Sequence, residues 1–263
     1  MNDLYLSIVL ALIQGITEFL PVSSSAHLLF PSLLFGSDDL GLPFDIALHA
    51  GTLIAVIYFF KNDIFNMARS FLPGNDELED ERNLAMMLIV ATLPIIFAGF
   101  VFYDYINART FNITSIAISN ILFGFLLLVI FFRRSEKLDF YKITFSMALI
   151  IGIFQCFSLI PGASRSGTAI TGALLIGLNL KDSSKFAFLL SIPTILAALS
   201  LLIIDLDEIA LRTNYYYLII GFSISMFVAF TSIKYFLKFV EKIGMVPFVI
   251  YRFILGLVLL TLF

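Results

Sequence analysis

Gln14-Gly15-Ile16-Thr17-Glu18-Phe19-Leu20-Pro21-Val22-Ser23-Ser24-Ser25-Ala26-His27 is a polar insertion in an apolar chain. Apolar runs flank it on both sides, Leu4 to Ile13 and Leu28 to Leu34. Between them stand a carboxylate, an amide, three serine hydroxyls and an imidazole, arranged around Pro21. Proline stops a helix, and serine starts the next by accepting from its free N–H groups. The stretch therefore reads as a helix, a break and a second helix, with polar groups collected at the break. In so apolar a setting that collection requires a functional explanation.

The surrounding composition sets the class. Hydrophobic residues make up 60% of the 263 positions and charged residues 13%, with a mean hydropathy of +1.02. Soluble domains are about 45–50% apolar and about 25% charged, so an all-α integral membrane protein is expected. The net charge of -3 sits in connecting loops and carries no nucleic-acid signature. Cys156 stands alone, which excludes an intramolecular disulfide and a cysteine-rich metal site; among its apolar neighbours it reads as an inert packed thiol. The N-terminus lacks the basic region of a cleavable signal peptide.

Six full spans are expected, at 44–60, 84–103, 114–132, 186–204, 215–233 and 247–263. Two further apolar regions, 4–34 and 143–178, are each broken at a proline–serine tip and have second limbs too short to cross. They read as re-entrant helical hairpins, whose irregular backbone is tolerated only against protein or a watery cavity. Lysine and arginine placement supports the layout. The loops 61–83, 133–142, 179–185 and 234–246 hold twelve of the sixteen, while the alternate loops hold Arg109 and Arg212. The acidic run from Asn75 to Arg82 reads as a solvated loop, Tyr215–Tyr217 as an interfacial belt, and Lys234, Lys238 and Lys242 as one face meeting anionic headgroups. With the basic loops inside, hairpin one opens outward and hairpin two inward, each followed by three spans. That is an inverted-topology repeat within a single membrane domain covering 1–263, repeat one about 1–135 and repeat two about 140–263. A shift of 140 residues lays Pro21 on Pro161 and Ser24 on Ser164.

The second tip, Leu159-Ile160-Pro161-Gly162-Ala163-Ser164-Arg165-Ser166-Gly167-Thr168, supplies what the first lacks. Two half-helix N-termini pointing at one centre favour an anion, phosphate above all, and Arg165 adds a forked cation. An intramembrane arginine needs a partner, and Glu18 together with a bound phosphate meets that need. Gln14 and Glu18 share a helix face and either hold a hard cation or orient His27. Glu18, His27 and Ser24 resemble an acid–base–nucleophile set, with Ser24 three residues before His27 and within reach of it. Ser23 and Ser25 are phosphate or backbone ligands, capping alone being equally compatible. A purely structural buried network of Glu18, His27 and Arg165 is the bland alternative. Asp45 and His49, four apart, are either supporting partners of the site or a satisfied polar pair.

These residues carry a family resemblance. The first tip resembles the Glu/Gln-x-x-x-Glu motif of bacterial undecaprenyl-diphosphate phosphatases, and Pro161-Gly-Ala-Ser-Arg-Ser-Gly167 resembles their Pro-Gly-x-Ser-Arg-Ser-Gly motif. Phe44-Asp45-Ile-Ala-Leu-His49-Ala-Gly51-Thr52 and Phe186-Ala-Phe-Leu-Leu-Ser-Ile-Pro193-Thr194 are supporting stretches, and the likeness spans essentially the whole chain. The resemblance implies hydrolysis of undecaprenyl diphosphate to undecaprenyl phosphate and inorganic phosphate. That step recycles the lipid carrier for cell-wall synthesis, and extra copies lower sensitivity to bacitracin. It implies Glu18, Ser24, His27 and Arg165 as catalytic residues. It implies Ser164, Ser166 and their neighbours Gly162 and Thr168 as phosphate-binding ones, and a divalent cation, Mg²⁺ or Ca²⁺; the residues themselves add Gln14, Ser23 and Ser25 as expected substrate ligands and Glu18 with Gln14 as the expected holders of the ion. Two departures stand out: Gln14 replaces one anionic ligand, and Thr168 comes one residue earlier than the expected hydroxyl.

The expected partners are a polyprenyl diphosphate and membrane lipids, with a homodimer left open. The expected location is the bacterial plasma membrane, multi-pass, with the site toward the outer side because Glu18, His27 and the serines hang from the outward-opening hairpin. The isoprenoid tail is expected to enter sideways between helices. The rival from another class is a transporter or flippase of the lipid phosphate, supported by fold analogy alone. A type-2 phosphatidic-acid-like phosphatase is excluded, since no histidine follows His49.

Overall fold

The computed structural model describes residues 3–36, 40–103, 112–204 and 214–262. Arg109 and Arg212, on which the charge argument partly rests, lie outside the described residues, as does Phe263. Every regular element described is helical.

In chain order these are α1 (Asp3–Thr17), α2 (Ser24–Leu28), α3 (Phe30–Phe35), α4 (Leu42–Phe59), α5 (Lys61–Arg69) and α6 (Glu79–Val101). There follow α7 (Ile113–Arg133), α8 (Phe145–Cys156), α9 (Arg165–Leu175), α10 (Leu180–Ile204), α11 (Tyr215–Ile243) and α12 (Val246–Leu262). Local chemistry sets several of the starts. Asn112, Thr144 and Asn214 each accept from a first-turn N–H, of Ser115 at 2.8 Å, Met147 at 3.4 Å and Tyr216 at 3.0 Å.

Among the described residues five helices qualify by length and hydropathy to cross a bilayer: α4, α6 with its preceding turn, α7, α10 and α11. The protein is a multi-pass, all-α membrane protein. The sixth expected span is α12, whose 17 described residues rise about 25 Å, somewhat less than the ~30 Å hydrocarbon core. The outer surface is apolar where lipid would lie: Phe97, Phe100 and Phe227 are 71%, 81% and 71% exposed.

Packing places the two broken segments at the centre. Helix α1 lies against α11 and α8 against α6; α4 packs on α11 and α10 on α6; α4 meets α10, and α7 meets α12. Close approach is bought with small residues, the usual device where lipid gives helices no hydrophobic drive to associate. At Gly51 of α4 even a Cβ would collide with the Phe222 carbonyl and Ser225 side chain of α11. Beneath the first break Phe19 is fully buried and meets Phe188 of α10 edge-on, ring centroids 5.4 Å apart.

Candidate active site

The first broken segment ends α1 at Thr17 and restarts at Ser24; the second ends at Cys156, passes through a single 3-10 turn, Phe157–Leu159, and restarts at Arg165. Each restart is preceded by a serine in the left-handed region, Ser23 at φ 71 ψ 97 and Ser164 at φ 71 ψ 112. A non-glycine residue there is strained and persists only where its surroundings enforce it. The hydroxyls repeat as well: Ser23 lies 3.1 Å from Ser25, and Ser164 lies 3.2 Å from Ser166. In backbone register Ser23 therefore corresponds to Ser164. The shift of 140 residues, which pairs Ser24 with Ser164, is one residue off because Gly162, at φ +94, lengthens the second turn.

The tips are laced together. Arg165 Nη2 is 2.7 Å from Glu18 Oε1, across 147 residues of chain. Ser166 donates to the Leu20 carbonyl at 2.8 Å, and Gly162 N–H to Ser25 Oγ at 3.4 Å. The other Glu18 oxygen accepts from Ser24 Oγ at 3.0 Å and from Gln14 Nε2 at 2.9 Å. The Arg165 guanidinium also sits 5.6 Å from the Phe19 ring centroid. Its second terminal nitrogen, Nη1, is buried and has no hydrogen-bond partner.

A cavity of about 280 Å³ opens at this junction, walled by Glu18, Ser23, Ser24, Ser25, His49, Ser164 and Arg165, with Ser158 and Thr194 beside them. Of the expected residues, Glu18, Ser24 and Arg165 and the serines 23, 25 and 164 line it. Gln14, Gly162, Ser166 and Thr168 do not: Gln14 braces Glu18, Gly162 and Ser166 tie the tips, and Thr168 donates to the Arg165 carbonyl at 3.0 Å.

His27 departs most from expectation. Its ring turns away from Ser24: Nδ1 is 2.7 Å from the Ser23 carbonyl, and Nε2 is 2.7 Å from the Tyr251 hydroxyl. The contact expected across one turn is replaced by a bond to α12, and His27 is absent from the cavity wall. The imidazole that does face the cavity is His49, anchored through Nδ1 to the Asp45 carbonyl at 2.9 Å.

Arg252 is the functional candidate that sequence reasoning missed. It is fully buried in α12. Its Nε donates to the Asn120 carbonyl and Oδ1 at 3.0 and 2.9 Å, and its Nη2 to the Gly162 and Ala163 carbonyls at 3.0 Å each. Ser119 donates to the next carbonyl back, that of Pro161. Three consecutive carbonyls of the second tip are thus held by side chains of α7 and α12. The N–H groups of Arg165 and Ser166, which open α9 and have no intrahelical acceptor, are left for an anion. The signal was available: an arginine inside the apolar run 247–263 demands a partner by the same reasoning applied to Arg165.

Among the described residues no group of three His, Cys, Asp or Glu side chains could hold a metal ion. The nearest donor set is Glu18 with the Gln14 Oε1, which is buried and without a partner. One carboxylate already committed to a guanidinium does not make a resident metal site. It suits a cation that arrives with phosphate oxygens of its own.

A family model described as bacitracin resistance protein BacA matches residues 7–258.

Proposed function

Since the chain belongs to the bacitracin resistance protein BacA family, we propose that it is a membrane phosphatase that hydrolyses undecaprenyl diphosphate to undecaprenyl phosphate and inorganic phosphate. The family is associated with that activity, with bacitracin resistance and with lipid-carrier recycling. One observation carries the reading beyond family membership. Arg165 is fixed to Glu18 through one nitrogen and keeps a second buried and unpaired, and its side chain walls one cavity with Ser24 where two half-helices converge. A buried unpaired donor is costly, and a phosphoryl oxygen is the ligand that satisfies it bidentately with the neighbouring N–H groups.

The terminal phosphate of the substrate sits between Arg165 and the N-termini of α2 and α9. Ser24 Oγ attacks the terminal phosphorus and passes its proton to Glu18. The bond from phosphorus to the bridging oxygen breaks, and undecaprenyl phosphate leaves. Water then cleaves the phosphoserine, releasing inorganic phosphate and restoring Ser24. Phosphoryl transfer needs little covalent assistance, so positioning and charge neutralisation carry most of the rate. His49 faces the same space and is placed to move the second proton; His27 holds the first tip. A divalent cation carried by the diphosphate, held through Glu18 and the Gln14 amide oxygen, would neutralise charge on the phosphate oxygens.

The finer architecture belongs to the same proposal. The broken segments are re-entrant hairpins of an inverted repeat, about 1–135 and 140–263. Matching tip conformations and mirrored partnerships (α1 with α11, α8 with α6) support it, and the site then opens toward the outer face of the plasma membrane. The experiment is phosphate release from undecaprenyl diphosphate by purified protein, wild type against Arg165→Ala, with rapid quench to trap phosphoserine. Release that survives Arg165→Ala would sink the site assignment. Lipid translocation without release would favour a transporter, and release with no phosphoserine would favour direct attack by water.

A further inference from the structure

The polar cavity is too small to hold more than the head of a polyprenyl diphosphate, and what receives the chain is legible in the walls. A second cavity of about 370 Å³ lies between α6 and α10 and shares Ile95, Leu159, Thr194 and Ala198 with the polar one. Its remaining wall is chiefly apolar: Ile96, Gly99 and Phe100 on α6, Ala197 and Leu201 on α10. It also reaches the outer surface, where Phe100 is 81% and Leu201 41% exposed. A polar chamber opening through shared walls into a lipid-facing apolar channel is the shape of an amphiphile with a charged head and a long hydrocarbon tail.

The larger apolar groove, about 430 Å³ between α1 and α11 and lined by Ile16, Phe227, Tyr235 and Phe239, shares no wall residue with the polar cavity. Size alone would choose it; continuity with the charged site excludes it. Prolines in both helices of the smaller channel, Pro94 in α6 and Pro193 in α10, lie beside the shared walls. Each removes a backbone hydrogen bond and lets the helix bend away from its neighbour.

We infer that the α6–α10 channel is the seat of the isoprenoid chain, holding the first isoprene units next to the phosphate and passing the rest to the lipid between Phe100 and Leu201. The inference rests on the phosphatase reading and adds the path and the residues that grade chain length. Contact in the channel contributes to substrate binding by close packing, since a tail arriving from lipid gains nothing from leaving water. Gly99 is the position where the channel can be narrowed without disturbing the fold, since a Cβ there meets nothing within 4 Å.

The test uses the purified full chain with undecaprenyl, farnesyl and dimethylallyl diphosphates, and compares wild type with Gly99→Leu and, on the opposite wall, Ala197→Leu. Both variants are expected to raise KM about tenfold for the two longer chains, because the added side chain overfills the space their later isoprene units occupy, with the single-isoprene substrate, which ends at the shared walls, unchanged. A KM shift equal for all three chains, or none for any, overturns the channel. A photoreactive polyprenyl monophosphate gives a reading independent of turnover. Labelling on Phe100 or Leu201 is expected, and labelling confined to Phe227, Tyr235 and Phe239 overturns the assignment. Failure of the phosphatase reading looks different, because wild type would then release no phosphate from any of the three.

Discussion

His27 Nε2 and the Tyr251 hydroxyl lie 2.7 Å apart, with their rings stacked nearly parallel at 6°. The Ser23 carbonyl accepts from Nδ1, so Nε2 carries the lone pair and the phenol donates to it. Both ring nitrogens are therefore spent, one on the strained residue that precedes α2 and one on α12. So engaged, the imidazole ties the first tip to the last helix. His49, with one nitrogen on the Asp45 carbonyl, faces the cavity instead.

This divides the two histidines by experiment. His49→Ala is expected to lower kcat about 10²-fold, the ordinary contribution of one proton-transfer group, with an unchanged melting temperature in detergent. Tyr251→Phe and His27→Ala are expected to lower the melting temperature, Tyr251→Phe by about 0.5–1.5 kcal/mol of stability for the lost bond, and to spare most of kcat. If His27→Ala abolished turnover while melting as wild type does, the roles would be reversed.

Arg252 invites a sharper expectation. A buried guanidinium with hydrogen bonds to Asn120 and to two tip carbonyls leaves the Asn120 side-chain oxygen and the Gly162 and Ala163 carbonyls without that donor when truncated. Arg252→Ala is expected to cost about 1.5–3 kcal/mol for the hydrogen bonds of the charged group, read as a fall in thermal midpoint, and to eliminate phosphate release. Arg252→Lys should not rescue either, because one ammonium cannot span the Asn120 side chain and the Gly162 and Ala163 carbonyls together. Full activity in the lysine variant would show that only the charge matters.

The tip that Arg252 holds was only half legible in the sequence. Pro161, Ser164 and Arg165 announce the break and the anion site because their backbone and charge preferences are local. The brace is not local: Ser119, Asn120 and Arg252 come from helices whose hydropathy alone reads as ordinary spans. The partners of His27 were not legible for a related reason. Its spacing from Ser24 permits a contact across one turn, but the positive φ at Ser23 rotates the start of α2, and a partner more than two hundred residues away captures the ring. Spacing states who can meet; packing decides who does. The strain at Ser23 and Ser164 has no sequence signal, since serine is an ordinary cap and only the three-dimensional tip enforces its conformation.

Gly162 tests that enforcement. Its φ of +94 disfavours any side chain, and a Cβ there would strike the Ile116 carbonyl and the Ser119 hydroxyl. Gly162→Ala is expected to destabilise by at least about 1–3 kcal/mol and to reduce phosphate release along with it. Gly99→Ala, in open space, serves as the control for the added methyl and should leave the thermal midpoint no lower than that of wild type.

Gln14 completes the set through the cation. Its amide nitrogen is committed to Glu18 while its oxygen is buried without a partner. Gln14→Ala removes that oxygen and the brace together, so it cannot tell a ligand from a support. Gln14→Glu can: it exchanges the bracing donor for a second carboxylate within reach of Glu18. If a divalent cation binds here with the diphosphate, the variant is expected to need several-fold less Mg²⁺ for half-maximal phosphate release, because two carboxylates hold the ion more tightly than one. It should also release less phosphate than wild type when a chelator is present, since the two acids then repel without an ion between them. If Gln14 is a brace alone, Gln14→Glu lowers kcat at every Mg²⁺ concentration and leaves the half-maximal concentration where it was. A Mg²⁺ titration of wild type and variant, run at saturating lipid, separates the two outcomes.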